Sequence, residues 1–186
     1  MDEDGRRWDE RYATTTLVEA RPPEAGERWP DLTSSLPTTG RCLDIASGPG
    51  AVSLWFARQG LQVTALDASA VAIDLLRTSA AAAGIAERID ARTVDLDDGL
   101  PADLGEFDLI VCQRFREPQL YAPIVELLRP GAIAIVTVLS SVGSAHPGPF
   151  HAPPGELSAA FGTDDRCDLL HSHEGDGVAH VVVRRR

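Results

Sequence analysis

Three acids and one glycine turn are the residues of this sequence best spaced for chemistry. Asp44 lies in the apolar run Arg41-Cys42-Leu43-Asp44-Ile45, which ends at the small-residue turn Ala46-Ser47-Gly48-Pro49-Gly50. Gly48 and Gly50 let the backbone approach a ligand, because a Cβ at either position would occupy the ligand's space. Asp67 ends a second apolar run 17 residues after Gly50, and Asp95 ends the third strand, Ile89 to Val94. A carboxylate at the second strand end is placed to accept both ribose hydroxyls of an adenosine. One at the third is placed to accept from an adenine amino group. A single Asp at a strand end is ordinarily a turn or cap residue. Three of them in register with one adenosine point to a nucleoside-bearing ligand at the carboxyl ends of parallel strands.

The elements that must position these residues follow from the periodicity. Arg41–Ile45 is a strand, and a helix runs from Ala51 to Gln59 and stops at the C-cap glycine Gly60. Leu61 to Leu66 is the second strand. Ser69 caps a helix to about Ala83, with Gly84 after it. Ile89 to Val94 is the third strand and Phe107 to Cys112 the fourth. Glu117 to Leu128 reads as a helix, and Arg129-Pro130-Gly131 turns the chain into Ala132 to Leu139, a strand apolar enough to be buried on both faces. Four alternations of strand and helix call for a parallel sheet covered on both sides. Ser140 to Gly155 is rich in Gly, Pro and Ser and reads as a surface loop, with a short helix from near Pro154 to Phe161. Arg166 to His173 and Val178 to Arg185 are two strands joined by Glu174-Gly175-Asp176-Gly177, a hairpin signal. Residues 1–40 hold five Arg, nine acids and four Pro and read as an extension with a short helix around Trp8 to Glu19.

Composition removes several chemistries. The 186 residues are 44% hydrophobic, enough for one sizeable core with a modest extension. Against 28 acids stand 17 basic residues, all Arg, for a net charge of −11; the chain has neither Lys nor Asn. Without Lys there is no pyridoxal Schiff base, no P-loop lysine and no kinase-type phosphate lysine. The acidity disfavours holding nucleic acid through its phosphates. The amino terminus has no apolar run of signal type, and no stretch approaches the ~20 apolar residues that span a bilayer. Cys42, Cys112 and Cys167 are an odd number at no metal spacing and read as free thiols. A cytoplasmic protein with no membrane and no nucleic-acid partner is expected; the oligomeric state is not readable.

Two cofactor classes fit the outline. A nicotinamide dinucleotide would use Gly-x-Gly-x-x-Gly, but here the third position is Ser53. The second fits better. Leu43-Asp44-Ile45-Ala46-Ser47-Gly48-Pro49-Gly50 resembles the first motif of class I S-adenosylmethionine-dependent methyltransferases, and Asp67 matches their second-strand acid. Asp95-Leu96 is similar to their adenine loop, and Phe107-Asp108-Leu109-Ile110 to their fourth strand. Leu127-Leu128-Arg129-Pro130-Gly131-Ala132 is similar to the turn before their fifth. The resemblance runs without interruption over 41–139. It implies an α/β fold, a Rossmann-like doubly wound seven-stranded sheet, mostly parallel with an antiparallel last strand, over residues 41–186. It also implies S-adenosylmethionine as cofactor, with S-adenosylhomocysteine as product. The cofactor-binding positions it implies are Asp44, Ala46, Ser47, Gly48, Gly50, Asp67, Ala68, Ser69, Asp95, Leu96, Cys112, Gln113 and Arg114. Ala46 stands where many members have Gly, and only a minor backbone adjustment is expected.

A narrower resemblance concerns the ends. Trp8-Asp9-Glu10-Arg11-Tyr12 is similar to the opening of small bacterial methyltransferases of the tellurite-resistance and thiopurine S-methyltransferase groups. Pro149-Phe150 through Gly155-Glu156-Leu157 is similar to the segment after the fifth strand in the first of these. In such relatives the N-terminal segment folds over the cofactor, which makes Trp8, Arg11 and Tyr12 candidate lid residues; a surface helix with Trp8 packed on the domain is the plainer alternative. The acceptor implied is a small molecule, first a sulfur, selenium or tellurium nucleophile and next an oxygen or nitrogen of a metabolite.

No catalytic residue stands out, since in-line methyl transfer needs alignment more than a dedicated side chain. Cys112-Gln113 weakly resembles the nucleophile motif of cytosine C5 methyltransferases, but the preceding Pro is absent and the partner motif needs Asn. His171 and His173 are two apart on a strand and face one side; with no third ligand in sequence context, no metal is expected. His146 and His151 lie in the loop after the fifth strand, where acceptor-binding residues often sit in this fold, while His180 and Arg184 align only loosely with polar positions in the tellurite group. Arg114 either steers an anionic acceptor, holds the cofactor carboxylate or is a solvated arginine. The rival of another class is a non-catalytic cofactor-binding module; a nicotinamide-dependent oxidoreductase is the second rival.

Overall fold

A computed structural model of the chain describes residues 3–29 and 31–186, with the side chains of Glu3, Asp4, Glu27 and Arg28 outside that description. The helices are α1 (Glu3–Tyr12), α2 (Ala25–Arg28), α3 (Leu32–Ser35), α4 (Ala51–Gln59), α5 (Ala70–Ala82), α6 (Tyr121–Glu126) and α7 (Glu156–Gly162). The strands are β1 (Arg41–Ile45), β2 (Gln62–Asp67), β3 (Ile89–Thr93), β4 (Phe107–Gln113), β5 (Leu128–Leu139), β6 (Cys167–Gly175) and β7 (Val178–Arg185). They form a seven-stranded sheet in the order β3-β2-β1-β4-β5-β7-β6. β1 with β2, β2 with β3 and β4 with β5 are parallel; β7 runs antiparallel to both β5 and β6. The alternation of elements predicts the parallel part of this sheet, and the resemblance implies the whole: mostly parallel, doubly wound, with an antiparallel last strand. Among the described residues no helix is long and apolar enough to cross a membrane.

The chain groups into two compact units, one running to Pro22 and resuming over Pro37–Asp103, the other made of Pro23–Leu36 and Leu104–Arg186. The residues read from sequence as one extension over 1–40 therefore divide between the two. In the first unit, Leu54, Ala65, Ile73, Leu76, Ala80 and Ala91 form a core cluster, with Val18 and Ala20 packed against it. The segment after α1 is tied down by Val18 N–H donating to Ser79 Oγ at 3.0 Å and Arg21 N–H donating to Ala51 O at 3.0 Å. In the second unit the fully buried residues include Phe107, Leu109, Ile135, Val136 and Val182. They come from strands apolar on both faces.

Several boundaries moved for physical reasons. The N-terminal helix ends at Tyr12 rather than near Glu19, because the threonines that follow are stiff at χ1 and Thr15 N–H closes a turn on Tyr12 O. The helix expected over Glu117–Leu128 opens as a 3₁₀ turn over Pro118–Leu120, capped by Glu117 accepting from Gln119 N–H, before α6 begins. β5 starts four residues before Ala132: Leu128 pairs with Phe107, the chain then bulges, and pairing resumes at Ile133 with Leu109. The β6–β7 connection tightens to Asp176-Gly177 with φ of 53° and 78°, the left-handed pair that suits a two-residue hairpin turn.

Candidate functional site

The glycine turn between β1 and α4 is wound left-handed at three positions: Ala46, Gly48 and Gly50 have φ of 54°, 53° and 84°. Ala46 adopts a glycine conformation outright instead of adjusting away from it, at a cost of about 1–2 kcal/mol. A Cβ on Gly48 would come within 3.0 Å of the Tyr12 hydroxyl. Gly50 corrects the sequence reading: a Cβ there would overlap the Leu76 side chain of α5, so packing rather than ligand space excludes it.

Asp67, at the end of β2, is buried with both oxygens occupied by backbone donors. Oδ2 accepts from Gly48 N–H at 2.7 Å and Oδ1 from Ser69 N–H at 2.9 Å. Burial pushes its pKa up, against those two hydrogen bonds, and the Asp9 charge adds to the rise. Asp44 is more deeply buried. Burial raises its carboxyl to about 7, opposed by Ser53 Oγ, which donates to Oδ2 at 2.5 Å, and assisted by the charge of Asp67. Ser53, noticed in the sequence only as a missing glycine, is thus the partner of the strand acid.

The N-terminal helix contributes an acid that sequence reasoning passed over. Asp9 Oδ1 accepts from Ser69 Oγ at 2.6 Å and from Val71 N–H at 3.2 Å, while Ser69 Oγ accepts from Ala72 N–H and caps α5. Its place in the Trp-Asp motif was the available signal. Trp8 and Tyr12 stack at 6.0 Å, and the guanidiniums of Arg7 and Arg11 each lie 5.4 Å from the Trp8 ring centre. Burial and the nearby Asp67 raise the Tyr12 pKa, Arg11 opposing. Trp8, Arg11 and Tyr12, with Asp44, Ala46, Ser47, Gly48, Gly50, Asp67, Ala68 and Ser69, all belong to this first unit. Asp95 is there too, but its Oδ1 accepts from Asp97 N–H to cap a 3₁₀ turn that buries Leu96.

In the second unit, Cys112 is buried with its thiol on Phe115 O at 3.6 Å. Gln113 Oε1 accepts from Glu24 N–H at 2.7 Å, and Arg114, left-handed at φ 56°, pairs its Nε with Glu24 Oε1 at 2.6 Å. Arg114 is therefore neither free nor simply solvated. A second cluster, unseen in the sequence, joins Arg116, Tyr121 and Glu156. Glu156 accepts from Arg116 Nε at 2.9 Å and Nη2 at 2.5 Å, and from Tyr121 Oη at 2.7 Å. Although burial works upward, these partners hold the Glu156 carboxyl below its ordinary range. His151 Nδ1 accepts from Gly148 N–H at 2.9 Å, which leaves its hydrogen on Nε2, 3.4 Å from Ser144 Oγ. His146 is exposed. Among the described residues no group of three or more His, Cys, Asp or Glu is arranged to hold a metal ion.

Sheet order, glycine turn and strand-end acids define a class: this is the Rossmann-like fold of the S-adenosylmethionine-dependent methyltransferases. Residues 42–131 match the family model described as a methyltransferase domain. It is 30% identical over 114 residues to the ubiquinone biosynthesis O-methyltransferase of Xanthomonas axonopodis pv. citri, an alignment covering 59% of this chain and 47% of that protein. The chain thus spans about half the length of the curated relatives it matches. Its fold is similar to that of TehB from Haemophilus influenzae, with a TM-score of 0.71 and 18% identity over 98% of this chain and 67% of that one. It is also similar to the glycopeptide N-methyltransferase MtfA solved with S-adenosyl-L-homocysteine, with a TM-score of 0.65 and 16% identity over 96% and 97% of the two chains.

Proposed function

We propose that the protein transfers a methyl group from S-adenosylmethionine to a small-molecule acceptor in the cytoplasm. The observation that carries this reading is the Asp67 carboxylate, buried at the end of β2 and aimed by the N–H groups of Gly48 and Ser69 beside the left-handed turn. A carboxylate so fixed keeps lone pairs for the two hydroxyls of a ribose without reorganising. The surrounding residues fit the cofactor. Asp9 and Asp67 make the neighbourhood negative, matching a ligand that carries an ammonium and a sulfonium. The Tyr12 hydroxyl lies against Gly48, where a Cβ would crowd it, so the lid helix covers the glycine turn directly. When bound, the cofactor supplies an electrophilic methyl group.

The chain's own part is to bind, orient and exclude water. Asp67 would hold the ribose, Asp44 would face the cationic end, and residues 1–12 would act as a lid carrying Trp8, Arg11 and Tyr12. The three buried free thiols accord with a reducing compartment. The acceptor is a sulfur, selenium or tellurium nucleophile on the strength of the terminal motifs. The curated relatives, named for O-methylation in ubiquinone biosynthesis, put an oxygen acceptor beside it. Incubation with S-adenosylmethionine and either thiophenol or catechol, with S-adenosylhomocysteine measured, tests the reading. Turnover with either supports it. Cofactor binding without turnover would make the protein a binding module, and binding of NAD instead of S-adenosylmethionine would overturn the reading altogether.

A further inference from the structure

The second unit carries a polar row that the glycine turn does not use. Gln113 on β4, Thr137 on β5, His180 on β7 and His173 on β6 are successive cross-strand partners, and such partners share a face of the sheet. His171 joins them across a bulge. Leu169 pairs with Val183 and His171 with Val182, so Leu170 is an extra residue. Bulges re-aim the side chains around them and are frequent beside active sites. The result is a column of four rings, Trp29, His171, His180 and His173, with successive centres 5.3, 5.1 and 5.5 Å apart. Trp29 closes one end. At the other, His173 has no further ring among the described residues.

Three polar atoms of this row are buried with no hydrogen-bond partner: His171 Nε2, His173 Nε2 and Thr137 Oγ1. Thr137 as a whole residue is fully buried. An orphan of this kind costs about 1–3 kcal/mol, and folded proteins hold only a few per hundred residues. Three on one face form a set that a ligand's polar atoms would complete. The row also says what kind of ligand. None of Gln113, Thr137, Trp29, His171, His173 and His180 carries a permanent charge. The carboxylates beside it are engaged, Glu24 by Arg114 and Glu174 by Ser140 Oγ at 2.6 Å and Gly155 N–H at 2.8 Å. An oxyanion would meet no cation among these residues, whereas a flat ring meets rings.

We propose that this row is the acceptor subsite of the methyltransferase reading, on which it rests. It takes an uncharged aromatic ring bearing an O–H or S–H group, and His173 Nε2 receives that proton. The O–H or S–H bond breaks, its electron pair stays on oxygen or sulfur as the nucleophile, and the proton becomes the second N–H of an imidazolium.

The test uses the full chain saturated with S-adenosylhomocysteine, the histidine C2–H resonances, and catechol and thiophenol as probes. At least one probe shifts the His171 and His173 signals saturably; which one identifies the heteroatom. His173→Gln weakens that probe about tenfold while S-adenosylhomocysteine affinity stays unchanged. Thr137→Val deletes a hydroxyl that has no partner, so it folds at least as well as the wild type, and it still loses probe affinity. Silence toward both probes, or probe binding unaffected by both substitutions, overturns the subsite. Failure to bind S-adenosylhomocysteine in the same samples overturns the methyltransferase reading instead, so the two failures are separable.

Discussion

Asp44→Asn is the perturbation whose size the structure fixes best. The folded chain keeps the Asp44 proton to about pH 7, because burial outweighs the opposing hydrogen bond from Ser53; the unfolded chain releases it near 3.8. Between those values the folded state binds more protons than the unfolded state, so stability falls as pH rises. A gap of about three pKa units at about 1.4 kcal/mol each amounts to about 4 kcal/mol, all of it lost above pH 7. Asparagine has the same shape, still accepts from Ser53 Oγ and cannot ionise. Urea unfolding of both proteins at pH 5 and pH 8 reads the difference. The variant gains on the wild type by about 2–3 kcal/mol between those two pH values. On the proposed reading, in which Asp44 faces the cofactor's cationic end, it also binds S-adenosylmethionine more weakly. A stability difference that does not change with pH, or a variant less stable than wild type at pH 8, would refute the reasoning.

Four further outcomes follow from the site and its supports. Deleting residues 1–12 removes Asp9 from Ser69 and Val71 and Tyr12 from above Gly48, so S-adenosylmethionine affinity falls about tenfold by calorimetry; unchanged affinity would sink the lid. Gly50→Ala costs about 2–4 kcal/mol in thermal or urea unfolding, from its left-handed backbone and its overlap with Leu76. Gly84→Ala, left-handed at φ 69° with open space around it, costs only the backbone part, about 1–2 kcal/mol. Glu156→Gln weakens the joint with Arg116 and Tyr121 and costs about 1–3 kcal/mol at pH 7. Because the folded Glu156 carboxyl lies below its ordinary value, that cost shrinks as the pH falls through the carboxylate range.

The parts of the molecule legible in the sequence were those set by local rules. β1 and α4 have the bounds that apolar periodicity and the Gly60 C-cap predict, and Ser69 caps α5 as its residue type suggests. Asp67 was visible because a strand end and a glycine turn are both short-range patterns. What escaped depends on contacts far apart in the chain. Glu24 is joined to Arg114 across 90 positions, and Glu156 to Arg116 across 40. No local pattern marks such a partner. The segment Pro23–Leu36 looked like a featureless extension because two four-residue helices have almost no periodicity to read. The His171–His173 pair was seen to share a face, but the bulge at Leu170 and the Trp29 ring that complete the column come from pairing register and packing. Even the misread purpose of Gly50 has this origin, since Leu76 meets it only after α5 has docked.

Calorimetric titration of the wild type and Asp67→Ala with S-adenosylhomocysteine and with NAD tests the central claim most directly. The account predicts saturable S-adenosylhomocysteine binding to the wild type, none of NAD, and a loss of about 1–3 kcal/mol in the variant, the cost of leaving the ribose hydroxyls unpaired. Binding of NAD in preference to S-adenosylhomocysteine, or an Asp67→Ala affinity equal to wild type, would contradict it.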